Sequence, residues 1–187
     1  MAGVTRNPRP LFVTTLPPAA DGMEVFYRAD SSNGVIWHLR ARSVANGGDA
    51  TLPWEFVGGG ALAVQSLGEV NGATLAATTF ADLSTAITAT VPLAGDYFVQ
   101  AQSSVFFGST ATAAIGIRVG GTAPTLTTNS TAVTATASTY ATLSLGRLIT
   151  GVAASTALTL QFRSSVIQST SAFRHGAGFT ITPIRVG

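Results

Sequence analysis

The chain has 187 residues, only 10% of them charged, and a formal net charge of +2. Because an average soluble domain carries about 25% charged residues, this low content favours a subunit whose surface lies against other proteins. The chain has no cysteine, which excludes disulfides, thiolate catalysis and cysteine zinc sites.

Residues 1–20 are predicted to form an extended arm, because prolines at positions 8, 10, 17 and 18 remove backbone donors and disfavour helix. The first ten residues lack the apolar core of a secretory signal, so we expect none. No apolar run later in the chain is long enough to predict a membrane span. We expect the arm to drape over a neighbouring protein, and its candidate contact residues are Arg6, Arg9, Leu11, Phe12 and Val13.

Residues 21–60 are predicted to form a small β-meander. Strands are expected at residues 23–28, 35–40 and 54–57, and the Asn-Gly pair that ends the turn at residues 31–34 is a strong hairpin signal. So small a sheet needs large aromatic residues in its core, which is the role predicted for Trp37 and Trp54. The triple glycine at residues 58–60 marks the expected domain boundary.

Residues 61–187 are predicted to form an antiparallel β-sandwich or barrel, since short β-type segments follow one another between turn residues and helical spacing is absent. Segment 132–142 consists almost entirely of Ala, Thr, Ser and Val and is expected to need a neighbour to fix its register. The predicted strands span residues 61–70, 73–80, 86–92, 96–107, 111–119, 132–137, 139–149, 156–166 and 177–186.

Three sequence patterns in this region resemble the jelly-roll domains related to tumour necrosis factor and to complement-type globular heads. They are Val-Pro-Leu-Ala-Gly-Asp-Tyr-Phe-Val at 91–99, Ala-Leu-Thr-Leu-Gln-Phe-Arg at 157–163 after Gly-Arg-Leu-Ile at 146–149, and the final strand at 179–184. The resemblance covers about two-thirds of the chain. It implies an antiparallel jelly-roll sandwich, which we expect to form a homotrimer.

The N-terminal part resembles a small module of structural proteins in tailed bacteriophages, especially those that infect actinobacteria. The matching residues are Leu-Pro-Pro at 16–18, Asp-Gly-Met-Glu-Val at 21–25, Tyr-Arg-Ala-Asp at 27–30, Gly-Val-Ile-Trp-His-Leu-Arg at 34–40 and Trp-Glu-Phe-Val-Gly-Gly at 54–59. In such proteins a β-rich domain follows and ends in a tail like Pro-Ile-Arg-Val-Gly at 183–187. The resemblance implies membership of a virion.

Residues for catalysis are scarce, so we expect no enzyme activity and no cofactor. The two histidines, His38 and His175, lie far apart in the chain and lack neighbours at metal-ligand spacing. The eight carboxylates are mostly isolated and close to turns, where a side chain commonly bonds backbone N–H groups. The ten basic residues, all arginine, are scattered, which argues against nucleic-acid binding.

These features predict a homotrimeric virion protein, made in the host cytoplasm and placed on the outer surface of the particle, where it binds the major capsid protein as a decoration protein. Candidate trimer or loop contacts are His175, Tyr140 and Phe173. The alternative is a tail-tip or fibre subunit that binds a host glycan. Its candidate sugar-stacking residues are Phe106, Phe107, Phe173 and Tyr140.

Overall fold

A computed structural model describes residues 11–66, 79–82, 86–165 and 177–187. In this part of the chain the regular elements are β-strands and one 3₁₀ turn, which confirms the predicted all-β class. The chain divides into two compact units. Unit 1 contains Met1–Gly60 with Arg185–Gly187, and unit 2 contains Ala61–Ile184.

Unit 1 is built on an antiparallel meander of three strands, β2 (Glu24–Asp30), β3 (Val35–Ala41) and β4 (Trp54–Gly59). The predicted turn between β2 and β3 is confirmed, with Gly34 at a φ of +69°. Carboxylate oxygens of Asp30 accept bonds from the backbone and side-chain N–H groups of Asn33, which fixes the turn. A 3₁₀ turn, Val44–Asn46, lies in the connection from β3 to β4.

The core of unit 1 contains the aromatic residues that the sequence predicts. Trp37 is 0% exposed and Trp54 is 2% exposed. The indole N–H of Trp37 also donates to the carbonyl of Gly60 at 3.0 Å, so the buried ring keeps its polar atom satisfied. Val25 and Leu39 complete the row of fully buried side chains on β2 and β3.

The arm joins this sheet through a short parallel strand, β1 (Phe12–Val13), which pairs with β2. The backbone N–H of Phe26 donates to the carbonyl of Leu11 at 2.8 Å, and the rings of Phe12 and Phe26 lie 5.3 Å apart. The described end of the arm therefore binds the meander of its own chain, which the sequence alone did not predict.

Unit 2 contains two sheets in a sandwich-like arrangement. One sheet contains β5 (Leu62–Ser66), β7 (Gly95–Phe107), β10 (Thr139–Val152) and β12 (Ala177–Val186), with β12 between β5 and β7 and with β10 at the edge. The other has the order β6 (Ile87–Thr90), β11 (Ala157–Ser164), β8 (Ala111–Val119), β9 (Ser130–Ala135). Most neighbouring strands are thus far apart in the chain, as in a jelly roll, and the exception is the consecutive pair β8 and β9.

The sandwich core is filled by alternate side chains of β7, whereas β8 and β11 are buried over five successive residues, 113–117 and 158–162. The large side chains that are fully buried include Tyr97, Phe107, Ile115, Leu160 and Phe162. In the hairpin before β7 the hydroxyl of Tyr97 donates to the carbonyl of Leu93 at 2.6 Å. This bond gives a physical reason for the Pro-to-Tyr pattern that the sequence shows there.

Strand ends differ from prediction where turn geometry intervenes. The strand expected at 132–137 runs over Ser130–Ala135, because the chain then turns through Ser138, which has a φ of +61°. β10 continues past residue 149 to Val152 through a bulge, which is a local device that the composition does not show. Most of the strand expected at 73–80 lies outside the described residues, and Thr79 and Phe80 are not in a strand.

Candidate functional site

One face of the sandwich presents five cross-strand pairs without a charge, and we call these paired residues the neutral face. It is the outward side of β7 and β10, where exposure alternates with burial along each strand. Its residues form directly opposed pairs across the two strands: Phe98 with Leu148, Gln100 with Gly146, Gln102 with Ser144, Ser104 with Thr142, and Phe106 with Tyr140.

Apolar side chains lie at both ends of the neutral face. At one end Leu148 is 56% exposed beside Phe98, and at the other Tyr140 is 57% exposed beside Phe106, with ring centroids 4.9 Å apart. Gly146 lies beside the Phe98 ring, where an added Cβ would make ordinary van der Waals contact at 3.4 Å. Exposed apolar groups that recur along one face are typical of a surface that another protein covers.

A surface depression with several polar side chains lies over the middle of this sheet. An open hollow of about 630 Å³ lies over β5, β7, β10 and β12. Its polar lining consists of amides and hydroxyls, contributed by Gln65, Gln100, Gln102, Ser104, Ser144 and Thr180. Such groups both donate and accept hydrogen bonds, so the hollow suits a neutral polar partner better than an ion.

In the described part of unit 2, the carboxylates of Asp82 and Asp96 accept hydrogen bonds from groups of the same chain. Asp82 accepts bonds from the Gln161 amide at 2.8 Å and from the Arg118 guanidinium at 3.0 Å. Gln161 is only 4% exposed, so its amide has little access to water. At the start of β7 the Asp96 carboxylate accepts the backbone N–H of Gly151 at 2.9 Å and thereby fixes the bulge in β10. These carboxylates have structural roles.

Replacing Asp82 by Ala should lower the free energy of unfolding by about 2 kcal/mol, because the largely buried Gln161 amide loses its acceptor. Urea denaturation followed by far-ultraviolet circular dichroism measures this loss. Asp82→Asn is the control, since its amide oxygen can still accept the Gln161 bond and it should cost less. Equal losses in the two variants would contradict the assigned role.

Unit 1 carries a ladder of charged pairs on the exposed side of its meander. Glu24 binds His38 at 3.0 Å and Arg40 at 2.7 Å, and Glu55 binds Arg42 at 3.0 Å. The hydrogen bond from Arg40, followed by that from His38, lowers the pKa of Glu24. The imidazole of His38 also stacks on Phe26, at 4.6 Å and 7°. His38 is thus a residue that pairs β3 with β2.

Two further carboxylates of unit 1 hold loops rather than a ligand. Asp21 accepts the backbone N–H of Ser43 at 2.8 Å and the side-chain amide of Asn46 at 2.6 Å, and the bond from Ser43 is the main reason that its pKa is lowered. Asp49 binds Thr51 through both backbone and side chain, which lowers the pKa of Asp49. These bonds stabilise the connection that carries the 3₁₀ turn.

The described residues assemble no group of three or more His, Asp or Glu side chains that could hold a metal ion. In the same part of the chain no helix is long and apolar enough to cross a membrane.

The structure brings few of the predicted contact residues together. Phe12 and Val13 form β1, and Leu11 directly precedes it; Leu11 is 48% exposed and Phe12 53%, whereas Val13 is half-buried. Tyr140 and Phe106 form one end of the neutral face. Four residues, Arg6, Arg9, Phe173 and His175, lie outside the described part of the chain.

Phe107, which the sequence offers either as a core residue or as a candidate for sugar stacking, is a core residue. It is 1% exposed and belongs to the sandwich core, because it is one residue out of phase with the outward row that includes Phe106.

The neutral face itself was not predicted as a site. Its signal in the sequence is the run of polar and apolar residues in alternation along 98–106, without a charge. That pattern shows which residues of the strand share a side. It does not show that residues 140–148 form the neighbouring strand, whose outward residues complete the neutral face.

The fold and this surface together define the class: an all-β protein whose larger unit is a two-sheet sandwich with an uncharged outer face. Comparison with known proteins finds no matching family model and no matching curated protein.

Proposed function

We propose that this protein is a structural component of a tailed-bacteriophage virion, a homotrimeric decoration protein that binds and stabilises the outer surface of the head. The observation that carries the proposal is the neutral face, on which the five outward-facing cross-strand pairs lack any charge while both ends expose apolar side chains. Such a face gains free energy when a copy of the chain covers it.

The low charge of the chain supports self-association on a larger scale. Of the 187 residues only 10% are charged, and in unit 2 the carboxylates of Asp82 and Asp96 already bind partners within the chain. Copies can therefore approach without leaving buried charges unpaired. The number three follows from the resemblance to trimeric jelly rolls, and the place in a virion follows from the resemblance of residues 16–59 to phage structural modules.

Unit 1 and the arm are the proposed attachment end. The chain offers Phe12 on the short edge strand β1 and Leu11 just before it, both about half exposed. An exposed aromatic residue on a sheet edge can insert into a pocket of a neighbour, where such residues contribute most of the binding energy. The arm arginines Arg6 and Arg9 are proposed to contact the capsid beside them.

Replacing Phe12 by Ser should weaken binding to particles that lack the protein by about tenfold, since a central aromatic contact contributes at least roughly 1.4 kcal/mol. Co-sedimentation with stripped particles measures the affinity. Val57→Ser is the matched control, because Val57 is also exposed, at 46%, in the same unit. Equal binding by Phe12→Ser and the wild-type protein would contradict the attachment role of the arm.

Electron microscopy of intact particles tests the location. Density for this protein at three-fold positions of the head is the expected result, and density confined to the tail would overturn it. Particles that lack the protein should also release their contents at a lower temperature, because bound copies stabilise the shell by mass action.

The second candidate is a tail-tip or fibre subunit that binds a host glycan. It is favoured by one specific observation, the exposed Tyr140 beside Phe106 at the end of the amide-lined hollow. Aromatic faces and neutral polar groups suit a sugar. Binding of cell-wall glycan by the purified protein, lost in Tyr140→Ala, would favour this candidate over decoration.

A further inference from the structure

A second surface is open to another chain at the edge of the other sheet. β9 is the last strand in the order β6, β11, β8, β9, and within residues 11–66, 79–82, 86–165 and 177–187 no strand pairs with its outer side. An unpaired strand presents a row of free backbone donors and acceptors, which can template the addition of a further strand.

The register between β8 and β9 shows which backbone N–H and C=O groups of β9 point away from β8. The N–H of Ile117 donates to the carbonyl of Asn129 at 2.8 Å, and bonded pairs recur at every second residue of an antiparallel ladder. The backbone groups of Val133 therefore bind β8. Those of Ala132 and Thr134 point to the open side, where both residues are exposed.

β9 lacks the devices that usually protect an edge. Its six residues, Ser130–Ala135, include no charge and no proline, and their pairing with β8 runs without a register shift. β10, the edge strand of the other sheet, has both a charged residue and a register shift. It has a bulge between Ile149 and Val152, and its exposed Arg147 lies opposite the buried Val99. The β10 edge is therefore protected, whereas the β9 edge carries no such device and no pairing partner among the described residues.

We infer that β9 binds β9 of a second copy in antiparallel orientation, with Val133 opposite Val133 of the second copy. In this register Ala132 of each chain exchanges both backbone bonds with Thr134 of the other. Like-with-like pairing costs no charge repulsion, because the strand is uncharged, and Val133 meets an equally apolar residue. The sequence also indicates that this Ala/Thr-rich segment needs a neighbour to hold its register.

The contact is small, because each strand has only six residues and a specific interface usually buries roughly 1,000 Å² or more. It therefore acts where copies are already concentrated, as when trimers lie side by side, since linked contacts strengthen one another. This inference goes beyond the proposed function: the neutral face joins copies into a trimer, and the β9 edges join one trimer to the next.

Disulfide trapping tests the register directly, because the natural chain has no cysteine. In the inferred pair the two Val133 Cα atoms are about 4.5 Å apart, within the range that a disulfide requires. The Val133→Cys protein should therefore form a covalent dimer under mild oxidation. Thr131→Cys is the matched control on the same face of β9. Its two copies would be offset by four residues, about 13 Å, and should stay monomeric on a denaturing gel.

Ala132→Pro in the Val133→Cys background adds a second measurement. Proline removes an outward N–H without touching the ladder to β8, so the fold should persist while the covalent dimer decreases. In the wild-type protein, hydrogen exchange in residues 130–135 should slow as the protein concentration rises. The inference is overturned if Thr131→Cys crosslinks as fast as Val133→Cys, or if this exchange does not depend on concentration.

The β9 contact and the trimer can fail separately. Leu148→Arg, which lies on the neutral face, should abolish the trimer and leave the Val133→Cys disulfide able to form. Loss of the trimer together with retention of the disulfide supports two independent contacts. A Val133→Cys protein that never crosslinks while the trimer persists overturns the β9 contact alone.

Discussion

The Leu148→Arg variant is expected to be a monomer under conditions in which the natural protein is a trimer. Leu148 is 56% exposed and lies opposite Phe98 at one end of the neutral face. An arginine there would be buried without a partner when copies associate, at a cost of roughly 3 kcal/mol, or about a hundredfold in the dissociation constant. Light scattering coupled to size-exclusion chromatography measures the mass.

Leu126→Arg is the matched control for this variant. Leu126 is also an exposed leucine, at 49%, but it lies in the connection between β8 and β9, away from the neutral face. Its replacement should leave both the mass and the thermal stability of the parent unchanged, because Leu126 lies neither in the core nor on the neutral face. Leu148→Arg should unfold at a lower temperature than the parent, because it loses the stabilisation that association gives. A natural protein that is monomeric at micromolar concentration would contradict the proposed assembly.

Acid is expected to unfold unit 1 before unit 2. Four carboxylates of unit 1, Asp21, Glu24, Asp30 and Asp49, have a pKa below the ordinary value because hydrogen bonds favour their charged forms. A lowered pKa in the folded state stabilises the fold above the ordinary value, which is 4.5 for Glu and 3.8 for Asp. This stabilisation is lost as the pH falls from about 4.5 through the lowered values.

Tryptophan fluorescence provides a selective probe of this transition, because Trp37 and Trp54 both lie in unit 1. Their emission should shift to longer wavelength at a pH where far-ultraviolet circular dichroism still reports most of the sandwich strands. Asp21→Asn should lower the stability of unit 1 at neutral pH and also flatten its pH dependence, since a titrating group is removed. If fluorescence and circular dichroism changed at the same pH, unit 1 would not unfold before unit 2, and the prediction would be wrong.

Local patterns in the sequence determined the class of fold and much of the strand layout. Alternation with a period of two over 95–107 sets which side chains of β7 are buried, because successive residues of a strand point to opposite faces. The Asn-Gly turn before β3 and the buried Trp37 were predicted for similar local reasons. The low charge indicated an associating surface, although it gave that surface no position in the fold.

The tertiary structure decided which strands are neighbours, and the surfaces depend on that choice. β12 pairs with β5 from the start of unit 2, and Asp82 reaches Gln161 across 79 positions of sequence. Such pairings depend on the free energy of the whole sandwich rather than on any local preference. For the same reason the sequence could show an uncharged row on β7, but only the pairing of β7 with β10 makes it a continuous neutral face, and only the position of β9 at the end of its sheet leaves an edge open.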